Sequence, residues 1–491
     1  MNLYSQALRS VALPWVSMLT ESDFWRIYKS FNRSPEHTVY APSPTQTSQK
    51  LKALMTHAYQ NVPFYRERMS GLGLTPGAFE KPEDLRQLPP TTKADISANF
   101  PDRITASAQA YKPWRYVSTS GTTGRLTVIQ DFRKRDYVRA AMLLALNSAT
   151  GYQLGLKHLE IPPDICTNVC GASDTTEPNV FDYFLENLKG RRLKDAEVIS
   201  DLRGMVERQL IYRKVQLPSF GGEGFTQKPD ALDDYLKQID DYQPFTVKAL
   251  PTYLYLLALH LLENNLKPPR IRGAIVPMGG SMTPYMKQVI ESAFQCPVRD
   301  LYGCAELGDI AAQRGDSLSL WPFANLFYVE VVRGGRPAAD GEVGRVLITD
   351  LWNYAMPMIR YDIGDVAKVR YEKTDDGQPA MCLEIHGRVQ DCLVAEDGTI
   401  LTSDVVTDVL LAQPGVLGFQ MEARAENELY LQVVPRRTEP PNLDAINEVV
   451  LGLVGKQYRI WSRLVPTIPP EPGGKYRFVK NMSKTAMSRE L

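Results

Sequence analysis

One short stretch of the chain combines hydroxyl side chains with glycines and could bind a polyphosphate. It reads Ser118-Thr119-Ser120-Gly121-Thr122-Thr123-Gly124. Glycine lets the backbone approach a ligand closely, and successive N–H groups and hydroxyls can donate to phosphate oxygens. The flanking residues are β-prone, so two short strands joined by a small-residue loop are predicted. No Lys-Ser/Thr pair follows the second glycine, so the loop is not a GxxxxGK[ST] P-loop, and a hairpin with a polar turn is the alternative.

Charged side chains further along the chain could bind a nucleotide or a metal, and most have an ordinary alternative. Glu306 could hold Mg²⁺, because hard cations take oxygen ligands. A carboxylate such as Asp365 can accept two hydroxyl donors, although a Gly-Asp pair after a strand is usually a hairpin turn. Lys475 stands on a Gly/Pro-rich loop, where a lysine is usually only solvated.

The composition is that of a globular protein with more than one domain. The 491 residues exceed what one hydrophobic core normally holds. There are 56 basic and 56 acidic residues, so the formal net charge is zero and neither nucleic acid nor a membrane is an expected partner. The apolar run 11–19 is interrupted by Pro14, which argues against a signal peptide or a membrane span and favours a cytoplasmic protein.

The cysteines are scattered and do not form a recognisable framework. No disulfide network is expected in a chain of this size without a secretory signal. Cys166 and Cys170 are close in sequence, but no further Cys or His lies at finger spacing. The sequence therefore predicts no zinc site.

The hydrophobic patterns predict an α/β fold class. Residues 150–250 alternate between short apolar runs and helical patterns, which favours a largely parallel sheet covered by helices. A strand beginning at Ile271 ends in a glycine turn, and Thr283 is predicted to cap the next helix before Pro284. Residues 391–491 are predicted to form a small α+β region with strands at 392–395 and 429–434 and a helix at 443–454.

The order of these motifs resembles that of the adenylate-forming superfamily, which includes acyl-CoA synthetases, peptide-synthetase adenylation domains and luciferases. The loop from Ser118 resembles the family's phosphate-binding loop, and the segments resembling its other motifs are 302–306, 361–365, 387–391 and 469–480. The upstream segment VPFYRERM…DLRQLPPTTKADI resembles sequences of the phenylacetate–CoA ligase branch. The resemblance implies a large, multi-subdomain adenylating domain at 1–388 and a small, mobile α+β lid domain at 389–491 that carries the catalytic lysine.

The same resemblance implies roles for individual residues. Lys475 and Glu306 are the expected catalytic residues, and Glu306 is also the expected metal ligand. Asp365 is expected to accept both ribose hydroxyls, Arg388 to bind a ribose oxygen or a phosphate, and Tyr302 to stack on adenine. The residues expected to bind ATP or AMP are Ser118, Thr119, Ser120, Gly121, Thr122, Thr123, Gly124, Gly280, Tyr302, Gly303, Asp365 and Arg388.

The acid substrate and the hinge are also placed by resemblance. The residues expected to line the acid pocket are Thr252, Tyr253, Gly279 and Ser281. Without the resemblance, Thr252 and Tyr253 would simply begin an amphipathic helix whose His260 packs against the core. Gln390 and Asp391 are the expected hinge between the two domains.

Several positions depart from the family pattern. The phosphate-binding loop ends in Arg125-Leu126 where the family usually has Lys-Pro, and Ala305 and Ile363 replace residues that usually carry a hydroxyl. Gln390 stands where the hinge residue is usually Asp or Lys, and Arg477 lies one place earlier than the family's terminal arginine. The branch's zinc-binding cysteines and histidines have no counterpart in residues 313–319.

The resemblance implies that a carboxylic acid and ATP give an acyl-adenylate and pyrophosphate, and that a thiol then attacks the adenylate. The acid is expected to be aromatic and the thiol to be coenzyme A, with ATP and Mg²⁺ completing the set. A carrier-protein thiol or an amine is the alternative acceptor. A non-adenylating acyl-transfer or binding relative is the second alternative. A carrier protein and a homodimer are compatible with this interpretation.

Overall fold

The computed structural model describes residues 3–14, 23–33, 39–118, 126–163, 179–192, 194–220, 225, 227–315, 317–425, 427–471 and 474–482. The chain divides into two compact units. The first unit comprises residues 1–21, 146–300 and 466–476, and the second comprises residues 22–145, 301–465 and 477–491. Neither break falls at residues 388/389, so the predicted domain boundary stays a prediction.

Helices and strands are interspersed along the whole chain. The α-helices are Leu3–Ala7, Phe24–Arg33, Pro44–Asn61, Pro63–Gly71, Lys93–Asn99, Phe132–Thr150, Val180–Lys189, Ala196–Met205, Pro229–Tyr242, Pro251–Glu263, Pro284–Phe294, Ser403–Leu411 and Leu443–Val454. The strands are β1 Pro113–Ser118, β2 Thr127–Asp131, β3 His158–Ile161, β4 Lys214–Gln216, β5 Thr246–Ala249, β6 Ala274–Pro277, β7 Leu301–Cys304, β8 Gly308–Gln313, β9 Leu320–Pro322, β10 Phe327–Arg333, β11 Arg336–Pro337, β12 Val343–Asp350, β13 Tyr361–Lys373, β14 Pro379–Arg388, β15 Leu393–Val394, β16 Ile400–Leu401, β17 Val416–Ala425, β18 Glu428–Pro435, β19 Arg459–Leu464 and β20 Val479–Asn481.

The first unit contains a parallel sheet of four strands in the order β4-β3-β5-β6. β5 and β6 are each followed by a helix, Pro251–Glu263 and Pro284–Phe294. Thr283 caps the second of these by accepting a hydrogen bond from the amide of Met286. The predicted parallel sheet and the predicted helix cap are both confirmed, and the carboxyl ends of β5 and β6 lie side by side at one edge of the sheet.

The second unit is built on an eight-stranded sheet in the order β11-β10-β12-β13-β14-β9-β8-β7. Its neighbouring strands pair antiparallel. The sequence patterns did not indicate this sheet, because its strands follow one another without intervening helices. Consequently the parallel arrangement predicted from residues 150–250 applies to the first unit alone.

The two short strands predicted on either side of the Ser/Thr/Gly loop are present. β1 pairs antiparallel with β2, and Ser118 lies opposite Thr127 with their hydroxyl oxygens 3.3 Å apart. The loop between them, 119–125, lies outside the described residues.

The C-terminal part of the second unit has the predicted α+β character. A mixed four-stranded sheet has the order β19-β18-β17-β20. The helix predicted at 443–454 is observed with those bounds, and its N-cap Asn442 accepts hydrogen bonds from two following amides. The strand predicted at 429–434 is observed as β18, one residue longer at each end.

Helices in both units bury apolar side chains. In the helix Pro44–Asn61, Leu51, Leu54, Met55 and Ala58 are fully buried. The helix Pro251–Glu263 is buried nearly all round rather than along one stripe, as expected for a helix inside a large core. His260 on this helix is a packed side chain that hydrogen-bonds Asp233 at 2.8 Å, so its predicted packing role is confirmed.

Candidate active site

Asp365 is held between two side chains in the second unit. The Tyr302 hydroxyl donates to its Oδ2 at 2.7 Å, and the Arg388 Nε lies 3.0 Å from its Oδ1. Arg388 is the cross-strand partner of Asp365, because β13 and β14 pair in that register. A carboxylate has about four acceptor positions, so a role in accepting ribose hydroxyls is compatible with these two bonds. The carboxylate is thus fixed in direction before any ligand arrives.

The electrostatics of this cluster are dominated by the Asp365 charge. Burial and the neighbouring carboxylate raise the pKa of the Tyr302 phenol well above its usual value. The same carboxylate is the main cause that raises the pKa of the Arg388 guanidinium. Tyr302 therefore stays a neutral donor and Arg388 stays charged at any ordinary pH.

A local irregularity of β13 presents Asp365 at this position. Gly364 has a φ of +82°, which favours glycine. The β13–β14 register shifts between Val366 and Ala367, a bulge that redirects side chains. The Gly-Asp pair lies within a 13-residue strand, so the hairpin-turn alternative for these residues is wrong.

Glu306 is a buried carboxylate close to the same strands. It is 7% exposed, and its Oε1 accepts a hydrogen bond from the Tyr361 hydroxyl at 3.2 Å. Burial and the charge of Glu306 raise the pKa of that phenol far above its usual value and also raise the pKa of the Cys304 thiol. A buried negative oxygen donor of this kind is suited to a hard cation that also binds phosphate.

The strand that leaves the Ser/Thr/Gly loop is bonded directly to the Glu306 segment. Gln130 on β2 is fully buried and donates to the backbone oxygen of Glu306 at 2.9 Å. In the first turn of the helix that follows β2, Phe132–Thr150, the ammonium of Lys134 donates to the Leu307 oxygen at 3.0 Å and forms a wholly buried ion pair with Asp350. These three supporting side chains were not identified from the sequence.

Lys93 is a further cation near this cluster that the sequence reasoning missed. It is the first residue of the helix Lys93–Asn99, behind the N-cap Thr92. Burial lowers the pKa of its ammonium, with Arg388 acting in the same direction and Glu306 in the opposite one. A cation is unfavourable at the positive end of a helix. A lysine directly after a capping threonine was therefore the signal that could have identified it.

Gly303 has a structural explanation. A Cβ on this residue would lie 2.6 Å from the backbone oxygen of Gly308 and 2.9 Å from the Cα of Asp309. Glycine is thus required for the close pairing of β7 with β8. Its predicted contact with the nucleotide stays a prediction, as does the stacking of Tyr302 on adenine.

In the first unit, Lys475 lies beside the glycine turn that follows β6. A Cβ on Gly279 would be 3.5 Å from the Lys475 Cε and 3.8 Å from its Nζ. Gly279 has a φ of +72°, so a side chain here would be strained as well as crowded. Gly279, Gly280 and Ser281 are all exposed. The structure brings together the predicted catalytic lysine and the predicted edge of the acid pocket, 196 residues apart in sequence.

The next turn along the sheet edge carries Thr252 and Tyr253. They lie in the first turn of the helix Pro251–Glu263, and a Cβ on Gly280 would be 3.3 Å from the Cδ of Pro251. Tyr253 is buried, stacks on Phe220 with ring centroids 4.2 Å apart, and has its hydroxyl 3.0 Å from the Ser219 hydroxyl. The stacked rings of Tyr253 and Phe220 therefore pack beside this edge of the sheet.

The remaining predicted site residues fall into two groups. Ser118 is described at the end of β1, whereas Thr119, Ser120, Gly121, Thr122, Thr123 and Gly124 lie outside the described residues. The hinge candidates form the end of a 3₁₀ turn, Val389–Asp391, directly after β14. Gln390 is half-buried, and Asp391 pairs with Arg477.

No other metal-binding group stands out. Among the described residues, no cluster of three or more His, Cys, Asp and Glu side chains could hold a metal ion. A lone Glu306 fits Mg²⁺, because this ion is often bound by one carboxylate together with substrate phosphates. The described thiols of Cys296, Cys304, Cys382 and Cys392 are free. Cys166 and Cys170 are not described, so the expected absence of zinc stays a prediction.

No helix in the described part of the chain is both long and apolar enough to cross a membrane.

Comparison with known proteins gives relatives over most of the chain. No protein-family model matches it. Phenylacetate-coenzyme A ligase from Escherichia coli (strain K12) is 28% identical over 400 residues, covering 78% of this chain and 79% of the relative. The enzyme of that name from Thermus thermophilus is 25% identical over 82% of this chain and 83% of its own. Protein CapK from Staphylococcus aureus is 22% identical over 89% of each chain.

Solved structures give the same fold. The 2-hydroxyisobutyryl-CoA ligase in its postadenylation state superposes with a TM-score of 0.67, at 18% identity and with 91% of each chain covered. The same ligase in its thioesterification state gives a TM-score of 0.54 at 19% identity, with 91% of this chain and 92% of that one covered. These structures confirm the predicted fold, and the relatives named phenylacetate-coenzyme A ligase agree with the resemblance to that branch stated above from the motifs.

Proposed function

We propose that this protein is an AMP-forming acid–thiol ligase that activates an aromatic carboxylic acid and transfers its acyl group to coenzyme A. The observation that carries the proposal is the fixed carboxylate Asp365, bound by Tyr302 and Arg388 and backed by the buried Glu306. This arrangement suits a ribose and a metal-bound triphosphate. The relatives named phenylacetate-coenzyme A ligase support the thiol and the class of acid.

In the first half-reaction, a carboxylate oxygen of the acid attacks the α-phosphorus of ATP. The bond from that phosphorus to the bridging oxygen breaks, and pyrophosphate leaves with the electron pair. The acid needs no deprotonation, so the protein's task is to position two anions against their repulsion. Asp365 would orient the ribose, the Ser118–Gly124 loop would donate to the β- and γ-phosphates, and Lys475 would bridge the carboxylate and the α-phosphate.

Mg²⁺ would be held by Glu306 together with phosphate oxygens, and when bound it neutralises phosphate charge. Glu306 contributes a fixed, buried negative oxygen, and Gln130 fixes the backbone from which it projects. Lys93 adds a positive charge close to the same carboxylate. These side chains would hold the triphosphate end while Arg388 and Asp365 hold the nucleoside end.

In the second half-reaction, the sulfur of the thiol attacks the acyl carbon of the adenylate. The carbon–oxygen bond to the phosphate breaks, AMP leaves with the electron pair, and the thiol proton is released to solvent. The small C-terminal domain is proposed to rotate between the two steps about Gln390 and Asp391, because a few residues at the end of a strand can act as a hinge. Lys475 would act only before this rotation.

The decisive experiment measures pyrophosphate release with a panel of aryl acids, with and without coenzyme A. Acid-dependent release together with a thioester product supports the proposal. Release without a thioester would transfer the assignment to a carrier-protein thiol or an amine as acceptor. No acid-dependent release with any member of the panel, under conditions where ATP binds, would overturn adenylation and leave the non-adenylating alternative.

The proposal also includes a possible carrier-protein partner, a possible homodimer and a cytoplasmic location. A carrier-protein partner is tested by the acceptor assay above, and the homodimer by sedimentation over a range of concentrations. The cytoplasmic location is tested by fractionation of the native host.

A further inference from the structure

Arg477 forms an ion pair with Asp391 at the predicted hinge. Its Nε lies 3.0 Å from the Asp391 Oδ1, and a second guanidinium nitrogen donates to the same oxygen. The two side chains are 18% and 11% exposed. An ion pair this shielded from water is strongly directional, and loss of either partner leaves the other charge poorly solvated. Two N–H donors also fix the plane of the guanidinium.

The backbone around Arg477 is anchored to the same region. The Gln420 side chain donates to the Arg477 oxygen at 3.0 Å. Downstream, β20 pairs parallel with β17, and Asn481 donates to the Cys392 oxygen at 2.9 Å. Cys392 is the residue after Asp391. The segment that follows Arg477 is therefore bonded both to β17 and to the residue that follows the hinge.

The segment that precedes Arg477 carries Lys475, and two backbone hydrogen bonds join Gly474 and Lys475 to Glu471 (the Lys475 turn). The amide of Glu471 donates to the Lys475 oxygen at 2.8 Å, and the amide of Gly474 donates to the Glu471 oxygen at 2.8 Å. Gly474 has a φ of +72°, which favours glycine. Two residues of chain span at most about 7 Å, so the fixed guanidinium of Arg477 restricts where the Lys475 backbone can lie.

We propose that Arg477 is a positioning residue: by pairing with Asp391 it fastens the chain directly after the Lys475 turn and so restricts the positions that this turn can take. The catalytic consequence rests on the proposed function, whereas the ordering of the turn does not. The one-residue displacement of this arginine from the family pattern then has a physical reason. At position 477 the guanidinium reaches the hinge aspartate.

The test combines two assays on the Arg477→Ala variant. Misplacing a reacting group by about 1 Å can cost about 10²-fold, so we expect pyrophosphate release to fall about 10- to 100-fold. Thioester formation from supplied acyl-adenylate should change by less than about two-fold, because Lys475 does not act in that step. Arg477→Lys should recover only part of the loss, because a point charge replaces a planar fork.

The charge-exchanged double variant, Arg477→Asp with Asp391→Arg, separates the ion pair from either residue alone. We expect it to recover most of the activity that each single variant loses. Arg424→Ala is the matched control, because Arg424 also pairs with a carboxylate, Glu422, yet is 52% exposed and lies on β17 away from the hinge residues in sequence. This control should leave both half-reactions unchanged.

Amide hydrogen exchange tests the positioning without any catalysis. In Arg477→Ala the Glu471 and Gly474 amides should exchange faster, and the amides of the helix Leu443–Val454 should not. Equal losses in both half-reactions, or unchanged exchange at the two amides, would overturn the proposal. If the wild-type protein releases no pyrophosphate with any acid, the proposed function fails, but faster exchange in the variant would still support the fastening of the turn.

Discussion

The second unit and the first unit present their candidate site residues in opposite ways. In the second unit, Asp365 and Glu306 are carboxylates on or beside strands, and each is bonded by a neighbouring side chain. In the first unit, the Gly279–Ser281 turn is exposed, and the Lys475 side chain, which extends from a loop, lies beside it. Groups that hold a ligand throughout a reaction gain from a rigid setting. A cation needed in only one step gains from a movable one.

The largest expected effect on activity comes from removing Lys475, the cation on the movable loop of the first unit. Removing one electrostatic stabiliser of a transition state typically costs about 10²–10³-fold, so Lys475→Ala should lower pyrophosphate release by that factor. Thioester formation from supplied adenylate should proceed at nearly the wild-type rate. Both rates are measured on one preparation. Equal losses would mean that Lys475 supports folding or docking and that the two-step use of the loop does not apply to this chain.

The second largest effect on activity is expected at Glu306, one of the rigidly held carboxylates of the second unit. Glu306→Gln keeps the volume but removes the charge that would hold the metal. Loss of a residue that only supports a metal ligand typically costs about 10–100-fold in affinity or activity, so loss of the ligand charge itself should cost at least that. We expect a loss of this size in adenylate formation, with at most partial rescue by excess Mg²⁺. Tyr361→Phe is the control, because it removes only the hydrogen bond to Glu306. Unchanged pyrophosphate release in Glu306→Gln would remove the metal-ligand assignment.

A smaller effect is expected at the nucleoside end. Hydrogen bonds to a charged group contribute about 1.5–3 kcal/mol, so Asp365→Ala should raise the KM for ATP about ten-fold or more. The melting temperature should fall only modestly. Of the two partners left behind, Arg388 is 43% exposed and can be solvated, and only the Tyr302 hydroxyl loses a buried acceptor. Tyr302→Phe should raise the KM less. A large loss of thermal stability with an unchanged KM would make Asp365 a structural residue.

The smallest effect on activity is expected at Lys93, and it tests whether this lysine contributes to ATP binding beside Glu306. A partly exposed cation contributes about 0.2–1 kcal/mol, so Lys93→Ala should weaken ATP binding about two- to five-fold. The pKa of Lys93 lies below that of an ordinary lysine, so its positive charge is lost at a lower pH. Wild-type ATP affinity should therefore decline as the pH rises through that lowered pKa, whereas Lys93→Arg should keep its affinity. Identical pH profiles would exclude Lys93 from the site.

The sequence predicted the parallel sheet of the first unit because its strands alternate with helices, as in the run from β5 to Pro284–Phe294. It did not predict the eight-stranded antiparallel sheet. There β14 pairs with β9, although the strands β10 to β13 lie between them in the chain. Local propensity indicates where a strand is, but the neighbour it pairs with depends on packing and register.

The candidate site shows the same division. The motifs identified Asp365, Glu306 and Lys475, because their spacing matches a family pattern. The side chains that fix them, such as Gln130 and Arg477, have no motif of their own. Their role arises from tertiary neighbours, which no window of sequence contains. Lys93 lay within a segment already singled out, and its place at a helix start could have identified it from electrostatics alone.

The buried Lys134–Asp350 pair constrains how this protein can evolve or be engineered. Both side chains are fully buried, and removing one partner of such a pair typically costs about 3–5 kcal/mol, whereas replacing both with apolar residues is often neutral or stabilising. A route through single substitutions therefore passes through a poorly folded intermediate. Lys134→Met and Asp350→Leu should each lower the denaturation midpoint sharply, and the double variant should regain most of it. Additive losses in the double variant would show that the two positions are free to diverge independently. If the coupling holds, a library that varies one position at a time will find these two sites immutable, although the fold itself accepts an apolar pair there.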